Sequence, residues 1–258
     1  LKKIAVAADT HCGHAVGLTP PLWQQQDTKS KLHNVRQQCW DFFERNVEQR
    51  GPFDLVIFNG DAIDGKGAKA EGVETIFPDR FEQVKMANFC IKKLLTPNLT
   101  KLVMTFGTDY HTGAGEDFEQ MIADECHAER IGNIAHVEIE GIIFEAKHHV
   151  GSSQVSHTRH TAVARDHQWN ILWAERGVSP KANIIIRSHV HYYDFCGGPD
   201  WVAMTTPALQ GFGSRFGARR MSGIVDFGFI VFTVDNGRFS WEPILASVEA
   251  QQSTVIKL

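Results

Sequence analysis

Five short clusters in this chain carry side chains of the kind that bind divalent metals: Asp9-Thr-His11, Gly60-Asp61-Ala-Ile-Asp64, Gly107-Thr108-Asp109-Tyr110-His111, His148-His149 and His189-Val-His191. Imidazole mixed with carboxylate suits borderline ions such as zinc, manganese, iron or nickel better than magnesium or calcium, which prefer all-oxygen sites. The D-x-H and H-x-H spacings put two donors on the same side of an extended segment, within reach of one ion or of a pair. Taken singly, Asp9 or Asp61 at a strand end reads as a helix cap or an Asx turn. The joint pattern, with every cluster following an apolar run, is what points to metal chemistry.

The elements that must position these clusters follow from hydrophobic patterning. Ile4 to Ala8, Leu55 to Phe58 and Leu102 to Phe106 are short apolar runs that read as strands buried on both faces. Between them, Val35, Cys39, Phe42, Phe43 and Val47 keep helical spacing from Leu32 until Gly51-Pro52, and Phe81 to Leu95 repeats that pattern up to Pro97. A third helix is expected from Glu116 to Arg130. Val137 to Ile139 and Ile142 to Ala146, joined at Glu140-Gly141, read as a hairpin, followed by a helix from Ala162 to Glu175. Late, largely antiparallel strands are expected at 184–186, 192–196, 201–204, 224–234 and 239–241. The result is an α/β fold whose strands end in ligand-type residues, and in open α/β sheets such carboxyl ends lie together at the ligand crevice.

With 43% hydrophobic and 22% charged residues, the chain has ample apolar surface for a large core and is not intrinsically disordered. Its 258 residues are expected to form one domain spanning 1–258. No apolar run approaches the roughly 20 residues of a membrane helix, so no membrane association is expected. The net charge of −4 supplies no global attraction for nucleic acid or anionic lipid. The five cysteines, Cys12, Cys39, Cys90, Cys126 and Cys196, are odd in number and lack a C-x-x-C pair, which argues against a disulfide framework and a zinc knuckle. With an apolar N-terminal run that stops at Asp9, this gives a cytoplasmic expectation.

The order and spacing of the clusters resemble the calcineurin-like metallophosphoesterase superfamily, whose blocks read D-x-H, G-D-x-x-D, G-N-H-[DE], H and G-H-x-H. The resemblance covers Asp9 to His191. It implies a two-sheet β-sandwich flanked by helices, with the metal site at the carboxyl ends of the strands. It also implies two divalent ions (manganese, zinc, iron or nickel) and hydrolysis of a phosphoester by a metal-bridging hydroxide. Carried over, Asp9, His11 and His191 are ligands of the first ion and Asp61 bridges both. His189 with His148 or His149 holds the second, and Asp64 orients a neighbour. The third block departs from the family: its asparagine is absent, and either Asp109 supplies an oxygen ligand, the favoured reading, or Thr108 takes the place without replacing it. His111 is the candidate acid toward the leaving oxygen, or a donor to the phosphoryl group. Ser188 replaces a glycine of the last block, a small-for-small change expected to matter little.

Other features carry less. Adjacent His148 and His149 cannot point the same way from an extended strand, so one ligand is expected, His148 being favoured. His14, His33, His127, His136, His157, His160 and His167 read as structural or surface residues. Trp169 and Trp173 read as core packing on one helix. Arg215 and Arg219 in the glycine-rich stretch after Gly211 are candidate substrate contacts, as is Arg159, although an exposed connector explains that stretch equally well. That stretch and the long insert Gly13 to Lys31 favour a phosphodiesterase or nuclease-like enzyme, with nucleotides or nucleic acid among its substrates and no obligate protein partner. The competing readings are a non-catalytic metal-binding scaffold and a mononuclear hydrolase of non-phosphate esters.

Overall fold

A computed structural model describes residues 1–26, 28, 30–67, 72–112, 117–153, 155–212 and 225–246. The strands of its first half are β1 (Lys2–Ala7), β2 (Leu55–Asn59), β3 (Lys101–Thr105), β4 (Arg130–Gly132), β5 (Ala135–Ile139) and β6 (Ile142–Ala146). Those of the second are β7 (Ile184–Arg187), β8 (Asp194–Gly197), β9 (Val202–Thr205), β10 (Phe227–Asp235) and β11 (Arg238–Ala246). The helices are α1 (Pro21–Gln24), α2 (His33–Arg50), α3 (Arg80–Leu94), α4 (Asp109–Thr112), α5 (Phe118–Glu125) and α6 (Thr161–Glu175).

Two sheets form, in the orders β11-β10-β1-β2-β3-β4 and β5-β6-β7-β9-β8. Strand side chains alternate faces, which explains why the central runs are apolar throughout. Leu55 and Ile57 of β2 enter the core between the sheets with Val6, Phe144, Ile186, Met204 and Phe232. Val56 and Phe58 enter a second core with Phe43, Met86, Ile91 and Ile122 from the helices outside the first sheet. On the second sheet, Ile185, Tyr192 and Ala203 pack against Val163 of α6. The architecture is thus the two-sheet sandwich flanked by helices that the resemblance implied.

Several boundaries differ from the expectation. The third helix ends at Glu125, the chain turns through His127 at φ 53°, and Arg130 opens the edge strand β4. The second sheet is mixed, because β7 runs parallel to both β6 and β9. Trp169 and Trp173 are not core residues: they are 52% and 43% exposed. The inward stripe of α6 is Val163, His167 and Asn170, and the two tryptophans are out of phase with it. Four of the five cysteines are buried, and all are unpaired. No helix among the described residues is long and apolar enough to cross a membrane.

Candidate metal centre

The loops that leave β1, β2 and β7 do so with unusual backbone. Of the nine non-glycine residues with positive φ among those described, five are Asp9, His11, Asp61, His189 and His191. Each such residue costs on the order of 1 kcal/mol, and five of the nine gather at one rim. The strain is held by pairing between loops. Asp9 N donates to Gly60 O at 3.0 Å, His11 N to Asp61 O at 3.1 Å and Cys12 N to Ala62 O at 3.0 Å, so the first two loops continue side by side beyond their strands. Gly107 is required for close approach, since a Cβ there would lie 2.1 Å from Asp61 Oδ1.

The donors fall into two contiguous clusters, with a third group, His11, Asp64 and His111, behind the first. In the first, His11 Nε2 and His191 Nε2 face each other at 3.2 Å, and Asp9 Oδ1 lies 3.6 and 3.1 Å from them. In the second, Asp61 Oδ2 lies 2.9 Å from His148 Nε2 and 4.0 Å from His189 Nδ1. Asp9 Oδ1 is also 3.9 Å from His148 Nε2, so in this geometry it is Asp9 that faces both clusters.

The donor chemistry fits divalent ions. His148 Nδ1 donates to Asn59 O at 2.6 Å, which leaves the lone pair of Nε2 facing a carboxylate oxygen. Asp9 Oδ1 and His11 Nδ1 are buried without hydrogen-bond partners. Such a set demands positive charge between its members, from protons or from a cation. Burial would lower His148 and His11, but the flanking carboxylates outweigh it and raise them to about 9 and about 10. Asp61 is likewise held well below its usual range: burial pushes it up, and His148 pulls it further down.

Asp64 stands behind the first cluster. Its Oδ1 lies 3.6 Å from both His11 Nδ1 and His111 Nδ1, and its carbonyl accepts from His111 Nδ1 at 2.8 Å. Carboxylates placed behind a ligating imidazole fix its orientation. His111 packs edge-on to His11 with ring centroids 4.4 Å apart, its Nε2 uncommitted to Asp64.

Asp109 does not join either cluster. The backbone turns into α4 at this residue, which leaves Asp109 exposed on the helix. Thr108 faces the site instead: its N–H donates to Asp61 Oδ1 at 2.7 Å and its hydroxyl at 3.2 Å. His149 is exposed and lies against the His189 ring at 4.8 Å between centroids. Arg215 and Arg219 lie outside the described residues. The insert after Gly13 packs inward, with Leu18 and Trp23 in the helix-side core.

Some residues of the site carry no sequence signal. Glu119, fully buried on α5, accepts from Ala62 N at 2.9 Å and Gly107 N at 2.6 Å, clamping the second and third loops together. Burial and the nearby Asp61 push it up to about 7. Ser188 is more than a small residue at a turn. Its hydroxyl links Asn59 Nδ2 and Thr206 Oγ1, each at 2.7 Å, in a buried polar chain.

No family model matches this chain, and no curated protein matches it. Among solved structures, an archaeal phosphodiesterase is similar at 16% identity over 93% of this chain and 99% of its own, with a TM-score of 0.46. A predicted phosphoesterase of Streptococcus pneumoniae shares 12% identity over 94% of this chain and 88% of its own, with a TM-score of 0.40. Vacuolar protein sorting 29 from Cryptosporidium parvum shares 10% over 94% and 96%, with a TM-score of 0.46.

Proposed function

We propose that the chain is a metal-dependent phosphoester hydrolase with a preference for diesters, working at a two-ion centre. The observation that supports it is the convergence of two imidazole–carboxylate clusters at one rim, with the unpartnered Asp9 Oδ1 between them. Asp9, His11 and His191 would hold one ion and Asp61, His148 and His189 the other. When bound, such ions supply Lewis acidity that lowers the pKa of water and neutralises charge on the phosphoryl oxygens. Thr108 keeps Asp61 in orientation through its N–H and hydroxyl. His111 donates its Nδ1–H to the Asp64 carbonyl, and burial together with the charge of His11 lowers it to about 4, so its Nε2 lone pair is a proton acceptor and would have to take up a proton before it could serve the leaving oxygen as an acid.

The test is hydrolysis of a bis-aryl phosphodiester beside an aryl phosphomonoester, with manganese, nickel or zinc added to chelator-stripped protein and the bound ions counted. Two ions per chain with metal-dependent diester turnover support the reading. One ion per chain with turnover of carbon esters favours a mononuclear hydrolase, and two ions with no turnover favours a binding role.

Thr108 gives a graded check on the second cluster. Thr108→Ala removes the hydroxyl but keeps the backbone donor, so affinity for one ion should fall roughly tenfold to a hundredfold. Metal titration by calorimetry should show that loss at one site while the other is unmoved.

A further inference from the structure

The donors are unevenly covered. The side chains of Asp9, His11, Asp61 and His148 are at most 3% exposed, whereas His189 is 31% and His191 18% exposed. The centre therefore opens at the loop after β7, and a substrate seated there extends across the second-sheet side of the rim. Arg159 stands on that side. Its guanidinium carbon lies 4.5 Å from the ring centroid of Tyr192, the residue that follows His191. Among the described residues it has no carboxylate partner, and its Nε is buried with no acceptor. Asp226 feels the Arg159 charge but forms no ion pair with it, and accepts from Tyr193 N at 2.8 Å.

A guanidinium is always charged, and with Nε sealed off by protein its two terminal NH2 groups are the donors left to meet an anion. Stacking on an aromatic ring leaves the edge of the fork free for a phosphate, which it matches with two parallel hydrogen bonds. A second cation, exposed Arg165, borders Gly151, two residues after His149.

We propose that Arg159 binds a second phosphate next to the scissile one, so that the preferred substrate is an oligonucleotide-type chain of diesters and not an isolated diester. This rests on the phosphodiester reading of the centre, and a binding experiment separates the two. The probe is a slowly cleaved phosphorothioate thymidine dinucleotide with no terminal phosphate, a 5′ phosphate or a 3′ phosphate, titrated into metal-loaded protein. A terminal phosphate at one end should tighten binding to the native chain by roughly tenfold to a hundredfold. Arg159→Ala should abolish that advantage. Arg159→Lys, which keeps the stem over Tyr192 and the charge but not the fork, should retain part of it, and it decides the matter should the alanine variant melt early. The same ratio in the native and substituted proteins, including no advantage in either, overturns the proposal. A phosphate advantage without turnover of any ester leaves Arg159 as a phosphate-binding residue and removes the hydrolase reading.

Discussion

Asp61→Asn should lower metal-dependent phosphodiester turnover at least about a thousandfold, roughly 4 kcal/mol of transition-state stabilisation, while leaving the fold intact. The amide keeps an oxygen for the Thr108 N–H, now 2.7 Å from Oδ1. It also sets an NH2 where Oδ2 lies 2.9 Å from His148 Nε2. That NH2 donates to the imidazole lone pair, so the second cluster satisfies itself without a cation. The expected signature is therefore specific: bound metal falls from two ions to one, turnover is lost, and the metal-free melting temperature is unchanged or higher. Retained turnover with two ions would sink the role given to Asp61.

The largest expected effect on stability lies one residue before the metal loop of β7. Arg187, 3% exposed, donates from Nη2 to Glu145 Oε1 at 2.6 Å and from Nε to Asp166 Oδ2 at 2.7 Å. Glu145 Oε2 in turn accepts from Asn170 at 2.7 Å and faces His136 Nε2 at 3.2 Å. Glu145→Ala strands a buried guanidinium with half its partners, and about 3–5 kcal/mol of stability should be lost in denaturant unfolding. Replacing both members by apolar residues of similar volume should cost far less, because the charge and its desolvation leave together.

The same pair sets an acid limit. Burial alone would raise Glu145, but the hydrogen bond from His136 and the charge of Arg187 outweigh it and hold it at about 2, against an ordinary value of 4.5. A folded pKa below the unfolded one means that the unfolded chain binds the proton first as pH falls. The contribution is whole above about 4.5 and is lost as pH falls toward about 2. Unfolding midpoints measured across that window should drop more steeply for the native chain than for Glu145→Ala.

Much of this was legible in the sequence, for identifiable reasons. The strands carrying Asp9 and Asp61 are buried on both faces, so they stand out as apolar runs, and ligand-type residues at their ends are conspicuous. Period-two alternation required His148 and His149 to point opposite ways, and the structure buries His148 and exposes His149. Asp109 was misjudged because spacing along the chain does not reveal that the backbone coils into α4 at that residue. Glu119 was invisible, and Ser188 was noticed but expected to matter little, because their importance lies in burial against other loops, which no local pattern encodes. The tryptophans of α6 misled for the opposite reason: they are apolar, but which face of that helix meets the sheet is set by Val163, His167 and Asn170.

Each donor cluster draws on both sheets. Asp9 and His11 follow β1 while His191 follows β7; Asp61 follows β2 while His148 and His189 follow β6 and β7. Ions seated there would act as rivets through the open end of the sandwich, fastening two layers that elsewhere meet mainly through apolar contact. Folding and metal uptake then become linked equilibria, and a hundredfold excess of ion over its dissociation constant contributes about 2.7 kcal/mol per site. Scarcity of metal would be felt as fragility of the whole protein, with the layers parting first at the rim where the donors stand.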